Sequence, residues 1–349
     1  FPLAKMDSSI SVLLKKIHAT TPTKPYRKTE TVVIEKIPEK RGYVDIKAGV
    51  MRLIDALGGI NKFIKPDSTV LIKPNIVSDH GLKDGVYKGG IITDIRVIRA
   101  LTELLLPVAK KIIIGEGSSI NRSETTKMFK HYGYDRLVEL SPSKISLVDL
   151  NTDKQVDKHV PGGKRMHTRK IPLSIEKADV IISVPVLKIH FAAVASLSIK
   201  HLQGAVPPLE KYMTHFFGLW QNLVNIHHLI KPQLIVIDGL TGQEDFGPVS
   251  GTPKRMNILI GGTNPVATDT VAMKVMGLDP ASSPPVFLAY MQGLGPIEKE
   301  KIKIIGATID EVASPFKQPD INLDCGRDIR IHADSACSGC AGYLHFVLN

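Results

Sequence analysis

Val70-Leu71-Ile72-Lys73-Pro74-Asn75 is the stretch on which the reading of this 349-residue chain turns. Its three consecutive apolar residues leave no polar face, as in a strand buried on both sides. The run then ends in a lysine, a proline and an asparagine. Short apolar runs of the same kind recur at 111–114, 145–148, 180–184, 234–237, 258–260 and 302–305, and 31–37 is a β-branched run. Between them apolar residues return at helical spacing. Ile46, Val50, Leu53, Ile54 and Leu57 are stopped by Gly58-Gly59, and Asp94 is placed to cap a helix carrying Ile95, Ile98, Leu101 and Leu105. Further helices are expected over 122–132, 212–229, 266–276 and 284–292, with Asn264-Pro265 as N-cap and first helical position of the third. A Gly-rich loop is expected from 78 to 90. Strands alternating with amphipathic helices predict an α/β fold: a mainly parallel, Rossmann-like sheet with helices on both faces. The periodicity fades near Pro315. The expected organisation is a basic arm at 1–29, an α/β domain at 30–312 and a loop-rich, cysteine-containing tail at 313–349.

Composition narrows the classes. The chain is 43% hydrophobic and 23% charged, which excludes disorder or collagen as a description of the whole. No run approaches the ~18 apolar residues of a membrane span, and three cysteines make no disulfide framework. Both point to a cytoplasmic protein, although a chain beginning at Phe1 leaves room for an export signal removed upstream. The formal charge is +11, and +5 of it lies in residues 1–28, where six basic residues face Asp7 alone. With no zinc-finger or RNA-recognition pattern, nucleic acid is not the expected partner.

In sheets of this type ligands lie beyond the carboxyl ends of the strands. The candidates there are Lys73 and Asn75; Gly115, Glu116, Gly117 and Ser118; Lys188 and His190; and Asp238, Glu244 and Asp245. Gly115-x-Gly117-Ser118 suggests a phosphate cradle of backbone N–H groups, although no P-loop is present. Lysines at 73, 188 and 200 suit a small anion. His190, His201 and His215 fall within 26 positions and suit proton transfer or metal binding. Cys325, Cys337 and Cys340, with His332 and His345 nearby, have the spacing of a metal or iron–sulfur site.

Several strings together resemble the domain-of-unknown-function family 362: Val70 to Val77, Thr93-Asp94, Gly115-Glu116-Gly117-Ser118, Ala178 to Pro185, Leu187 to His190, Ser198-Ile199-Lys200 with Gly204, Ile237-Asp238-Gly239, Gly247-Pro248, and Asn264 to Asp269. They occur in order over about 31–307. The resemblance implies a bacterial or archaeal protein, often from an anaerobe and often labelled iron–sulfur. The family's usual two runs of four cysteines are absent here, leaving Cys325, Cys337 and Cys340. The chain is more remotely similar to the nickel-dependent lactate racemase family, through His190, Lys200 and His215 spaced by 10 and 15. That resemblance implies His190 as a proton-transfer base, Lys200 as anchor of a nickel-pincer nucleotide and His215 as a metal ligand. The chain departs from it in having Glu116 and Ser118 near that family's second catalytic histidine, and Ser198-Ile199 in place of its glycine pair.

The resulting expectation is a metal- or iron–sulfur-dependent enzyme, an oxidoreductase or isomerase, acting on a small anionic or nucleotide-like ligand. Lys188, His190, Asp238, Glu244 and Asp245 would act in catalysis. Lys73, Asn75, Gly115, Glu116, Gly117, Ser118, Lys200 and His201 would bind the ligand or cofactor, and Cys325, Cys337, Cys340 and His215 the metal. The alternatives are a non-catalytic redox or metal-handling protein docking on a redox partner, and a racemase-like isomerase.

Overall fold

The computed structural model describes residues 24–83, 86–87, 89–119, 125–321, 323, 331 and 338–348. Most of the expected basic arm therefore lies outside the described residues. In chain order the strands are β1 (Glu30–Lys36), β2 (Thr69–Pro74), β3 (Leu82–Lys83), β4 (Val86–Tyr87), β5 (Lys111–Glu116), β6 (Ile145–Asp149), β7 (Gln155–His159), β8 (Thr168–Pro172), β9 (Val180–Val184), β10 (Val186–His190), β11 (Val194–Ala195), β12 (Leu234–Glu244), β13 (Thr252–Gly262) and β14 (Ile302–Gly306). The helices that matter below are α1 (Tyr43–Ala56), α2 (Ile95–Leu105), α3 (Thr125–His131), α4 (Ser198–His201), α5 (Pro208–Phe216), α6 (Leu219–Leu229), α7 (Pro265–Val275), α8 (Pro284–Met291) and α9 (Ser338–Leu348).

The large sheet runs β14-β1-β13-β12-β9-β2-β5-β6, with β10 added to β12 and β11 to β10. It is mainly parallel: β2 with β5 and β9, β5 with β6, β12 with β9 and β10, and β1 with β14. Only β13, antiparallel to β1 and β12, and the short β11 break the pattern. The all-apolar strands are explained by burial on two faces. Val70 and Ile72 pack into a core with Leu53, Ile98 and Leu101 from α1 and α2, while Leu71 points to the opposite core with Leu202 and Ile226. Both expected caps form. The Asp94 carboxylate accepts from the Arg96 N–H, and Asn264 Oδ1 accepts from the N–H groups of Val266 and Ala267 at the start of α7.

One local expectation is corrected, and three further features add to the reading. The 212–229 helix is two helices, α5 and α6, broken at Gly218, whose φ of 105° favours glycine. The 78–90 loop holds the β3–β4 hairpin. A polar hairpin, β7–β8, stands outside the main sheet. The tail is not only loop: it carries α9, and Gly342 lets that helix approach Phe191, since a Cβ there would fall 2.6 Å from the ring. Among the described residues no helix is long and apolar enough to cross a membrane.

Candidate functional site

The ends of β2 and β5 meet in a buried ion pair. The Lys73 ammonium donates to Glu116 Oε1 at 2.9 Å, with both side chains almost fully buried. Glu116 also accepts the N–H groups of Gly117 and Ile76, each at 2.8 Å. Burial pushes the Lys73 ammonium down and the Glu116 carboxyl up, and each partner opposes the other's shift. Gly204 makes room for the pair, because a Cβ there would strike Glu116 Oε1 and lie 2.8 Å from Lys73 Nζ. His201 stands beside it. Its Nε2 lies 3.0 Å from the Pro74 carbonyl and 3.1 Å from the Lys73 ammonium, and its Nδ1 lies 2.8 Å from the Ser183 hydroxyl.

Above this floor lies a cleft of about 370 Å³ lined by Asn75, Glu116, Gly117, Ser118, Lys188, His190, Phe191, Lys200, His201, Gln203, Lys211, Tyr212, His215 and others. Three ammonium groups line it. Lys188 donates to Asn75 Oδ1 and the Ile91 carbonyl, both at 2.8 Å. Lys211 donates to the carbonyls of Gly117 (2.6 Å) and Ser118 (3.0 Å) and to the Asn151 side chain. Lys200 has no hydrogen-bond partner among the described residues. Burial lowers Lys188 and Lys211 to about 7 and Lys200 to about 8. Glu116, the carboxylate of the lining, is held by Lys73.

Two histidines complete the cleft, and fixed backbone partners set their tautomers. His190 Nδ1 accepts from the Ala192 N–H at 3.0 Å, so the neutral ring carries its proton on Nε2. His215 is the reverse: Nδ1 lies 2.8 Å from the Lys211 carbonyl and must donate, leaving a lone pair on Nε2. Burial and nearby Lys200 lower both, His190 strongly, so both are neutral at pH 7. His190 stacks on Phe191 with ring centroids 5.1 Å apart. Gln203 adds a buried Oε1 with no partner among the described residues, its amide nitrogen donating to the Lys211 carbonyl.

Residues 70–274 match the family described as Domain of unknown function (DUF362). The chain belongs to this family. A thylakoid-associated protein of Synechocystis sp. is 26% identical over 282 residues, covering 78% of this chain and 83% of that protein. Among solved structures, the lactate racemase apoprotein from Thermoanaerobacterium thermosaccharolyticum is similar with a TM-score of 0.40 at 13% identity. That match covers 66% of this chain and 54% of the racemase, so the chain spans about half of that protein's length.

The DUF362 chain brings Asn75, Glu116, Gly117, Ser118, Lys188, His190, Lys200, His201 and His215 to one cleft. Other candidates lie elsewhere. Lys73 is sealed beneath the cleft by its ion pair and does not line it. Gly115 packs against Leu150 and Leu71. Asp238 faces α2, accepting from the N–H groups of Asp94 (2.7 Å) and Leu240 (3.0 Å), and burial raises it to about 7. Glu244 pairs with Lys254, and Asp245 with Lys317, away from the cleft. The expected phosphate cradle is not formed. The N–H of Gly117 is shared by Glu116 and Gly204, and those of Ser118 and Ser119 are taken by Thr125 and Val77. Gly117 is instead required for close approach, since a Cβ there would lie 2.8 Å from both Lys211 Nζ and the Gly204 carbonyl. Cys325, Cys337 and His332 lie outside the described residues, as does the side chain of Cys340; His345 stacks on Phe246. Among the described residues no three His, Cys, Asp or Glu side chains group as metal ligands.

Sequence reasoning missed Lys211, Tyr212 and Gln203. The helical spacing of Lys211, Tyr212 and His215 on α5 was the available signal. It also missed a role for Asp269 of α7, which accepts the N–H groups of Ser198 (2.8 Å) and Ile199 (3.0 Å) and the Ser198 hydroxyl. Asp269 thereby pins the start of α4, the helix that presents Lys200 and His201. Asp269→Ala leaves two buried N–H groups unpaired and is expected to cost about 2–4 kcal/mol. A urea midpoint unchanged from wild type would rule this role out.

Proposed function

We propose that this DUF362 protein is an enzyme that binds a small organic anion in the cleft and moves a proton between carbon and His215. The observation that carries the reading is the pair of neutral histidines with opposite tautomers beside the unpaired Lys200 ammonium. Three ammonium groups without a free carboxylate favour an anion. The unpartnered Gln203 Oε1 asks the same ligand for an O–H or N–H donor. In the step, the C–H bond next to a carbonyl breaks, His215 Nε2 takes the proton, and the electron pair moves onto the carbonyl oxygen. That oxygen accepts from His190 Nε2–H, and the reverse transfer closes the cycle. His190 in this tautomer is a donor, where the racemase resemblance implies a base. The test is exchange of the acidic C–H for deuterium in D2O, screened over small carboxylates. The expected result is exchange that slows by about 10²–10⁴-fold in His215→Ala. Equal exchange in that variant removes His215 from the role.

A second reading, a Lys200-anchored nickel-pincer nucleotide, is favoured by the convergence of His190, Lys200 and His215 on one cleft. The residues fit such a group: Lys200 would hold it through its unpaired amine and His215 would offer Nε2 to the metal. When bound it would supply a nickel centre to the cleft. Nickel content with a mass adduct on the intact chain, both lost in Lys200→Ala, would support this reading. Unmodified wild-type mass in protein purified from its native source would overturn it.

A further inference from the structure

Helix α5 has two faces with different tasks. Lys211 and Thr214 are buried, and Tyr212 and His215 reach the cleft. The outer side exposes Leu209 (66%), Tyr212 (60%) and Phe216 (72%), followed by Phe217 (43%). Spacing of three and four residues puts the first three on one stripe. Scattered exposed apolar residues need no explanation, but four large ones within nine positions form a patch.

The charge beside this patch is one-sided. Between residues 158–175 and 204–237 the only acidic residue is Glu210, which is bound to Arg169. Arg169 of β8 also donates to Thr214 at 2.8 Å and to the Asn222 carbonyl at 3.3 Å, fastening the β7–β8 hairpin to α5 and α6. Asn225 of α6 donates to the carbonyls of Lys164 and Met166, so the turn at 161–167 lies against the same helix pair. Lys164 and Arg165 on that turn are exposed and make no ion pair among the described residues. Lys158 and Lys170 of the hairpin are neutralised by Glu176 and Asp157.

We propose that the outer face of α5, with the turn at 161–167, docks on an anionic lipid bilayer. Apolar and aromatic side chains on one side of a short helix, flanked by unpaired cations, are the features that bind the interfacial layer of a membrane. A second copy of the chain fits less well. Four partly exposed side chains present on the order of 400–500 Å², short of the ~800 Å² per partner of a stable interface, and like-charged turns would meet. Docking here turns the cleft mouth, with Tyr212 and His215, toward the bilayer. The inference does not depend on the chemistry of the cleft.

The experiment is co-sedimentation of the full chain with phosphatidylcholine vesicles, with and without about 30 mol % phosphatidylglycerol. Binding to the anionic vesicles is expected, weakened about tenfold or more by Leu209→Ser/Phe216→Ser, by Lys164→Glu/Arg165→Glu and by high salt, with thermal unfolding unchanged. No binding by the wild type overturns the proposal. So does binding that neither double variant weakens, which would assign it to the basic arm. Concentration-dependent self-association, abolished by Leu209→Ser/Phe216→Ser without vesicle binding, would assign the patch to a second copy and overturn it as well.

Discussion

Glu116→Gln will destabilise the protein by about 3–5 kcal/mol at pH 7, the range for breaking one side of a buried pair. The glutamine keeps the side chain's shape and an acceptor for the Ile76 N–H, and the Gly117 N–H keeps the Gly204 carbonyl at 3.0 Å, so the loss reports mainly on Lys73. That ammonium is fully buried, and its remaining neighbours are the Pro74 carbonyl at 3.3 Å and His201 Nε2 at 3.1 Å. Without a carboxylate it sheds its proton on folding. The sign follows from the proton count. Folded Lys73 is then neutral while unfolded Lys73, with a pKa near ~10.4, stays protonated. The unfolded state binds one more proton, so stability rises with pH by about 1.4 kcal/mol per unit until ~10.4. The defect of Glu116→Gln therefore shrinks as pH is raised from 7 to 9. Lys73→Met/Glu116→Gln removes the stranded charge and is expected to be more stable than Glu116→Gln alone. Urea unfolding at three pH values reads all of this, with an unchanged slope showing that the surface exposed on unfolding is unaltered. A double variant as unstable as the single, with no pH dependence, would show that the pair contributes through shape alone.

The contrast between Lys73 and Lys200 marks where the sequence stops being informative. β2, β5 and β9 are legible because their central residues, buried on both faces, form continuous apolar runs. The caps at Asp94 and Asn264 are legible because capping is local. β10 is hard to see: Val186–His190 follows β9 after Pro185 alone, and the polar side chains of Lys188 and His190 hide a strand whose partner is β12. Which lysine is free is a long-range matter. Lys73 and Glu116 are 43 positions apart, and their pairing follows from β2 lying beside β5. Once Glu116 is taken, Lys200 and its neighbours are left without a counter-charge. Glu244 and Asp245 look like strand-end candidates in the sequence, but β12 continues to Glu244 and carries them to Lys254 and Lys317. The histidine tautomers are equally invisible, because they depend on the Ala192 N–H and the Lys211 carbonyl.

Anion affinity will fall as pH rises above about 8, and Lys200 will set the slope. Burial holds Lys200 to about 8 and Lys188 and Lys211 to about 7 in the empty cleft. An anion seated on Lys200 favours its charged form and raises its pKa again. Above about 8 binding must therefore take up a proton, and the dissociation constant climbs toward tenfold per pH unit. Below about 7 the ammonium is already formed and affinity levels off. Sulfate is a suitable probe because its own charge is fixed over this range. Calorimetry in two buffers of different ionisation enthalpy at the same pH reads the proton uptake directly. Lys200→Ala is expected to weaken sulfate by about 10–150-fold at pH 7, the worth of a charged hydrogen bond of roughly 1.5–3 kcal/mol, and to reduce the pH dependence. Lys200→Arg separates charge from titration: a guanidinium stays protonated throughout, so binding persists while the Lys200 part of the slope disappears. Lys188 and Lys211 are already committed to carbonyls and amide oxygens of the cleft wall, and whatever slope remains in Lys200→Arg belongs to them. Affinity that is flat from pH 6 to 9.5 in the wild type would mean that Lys200 does not meet the anion.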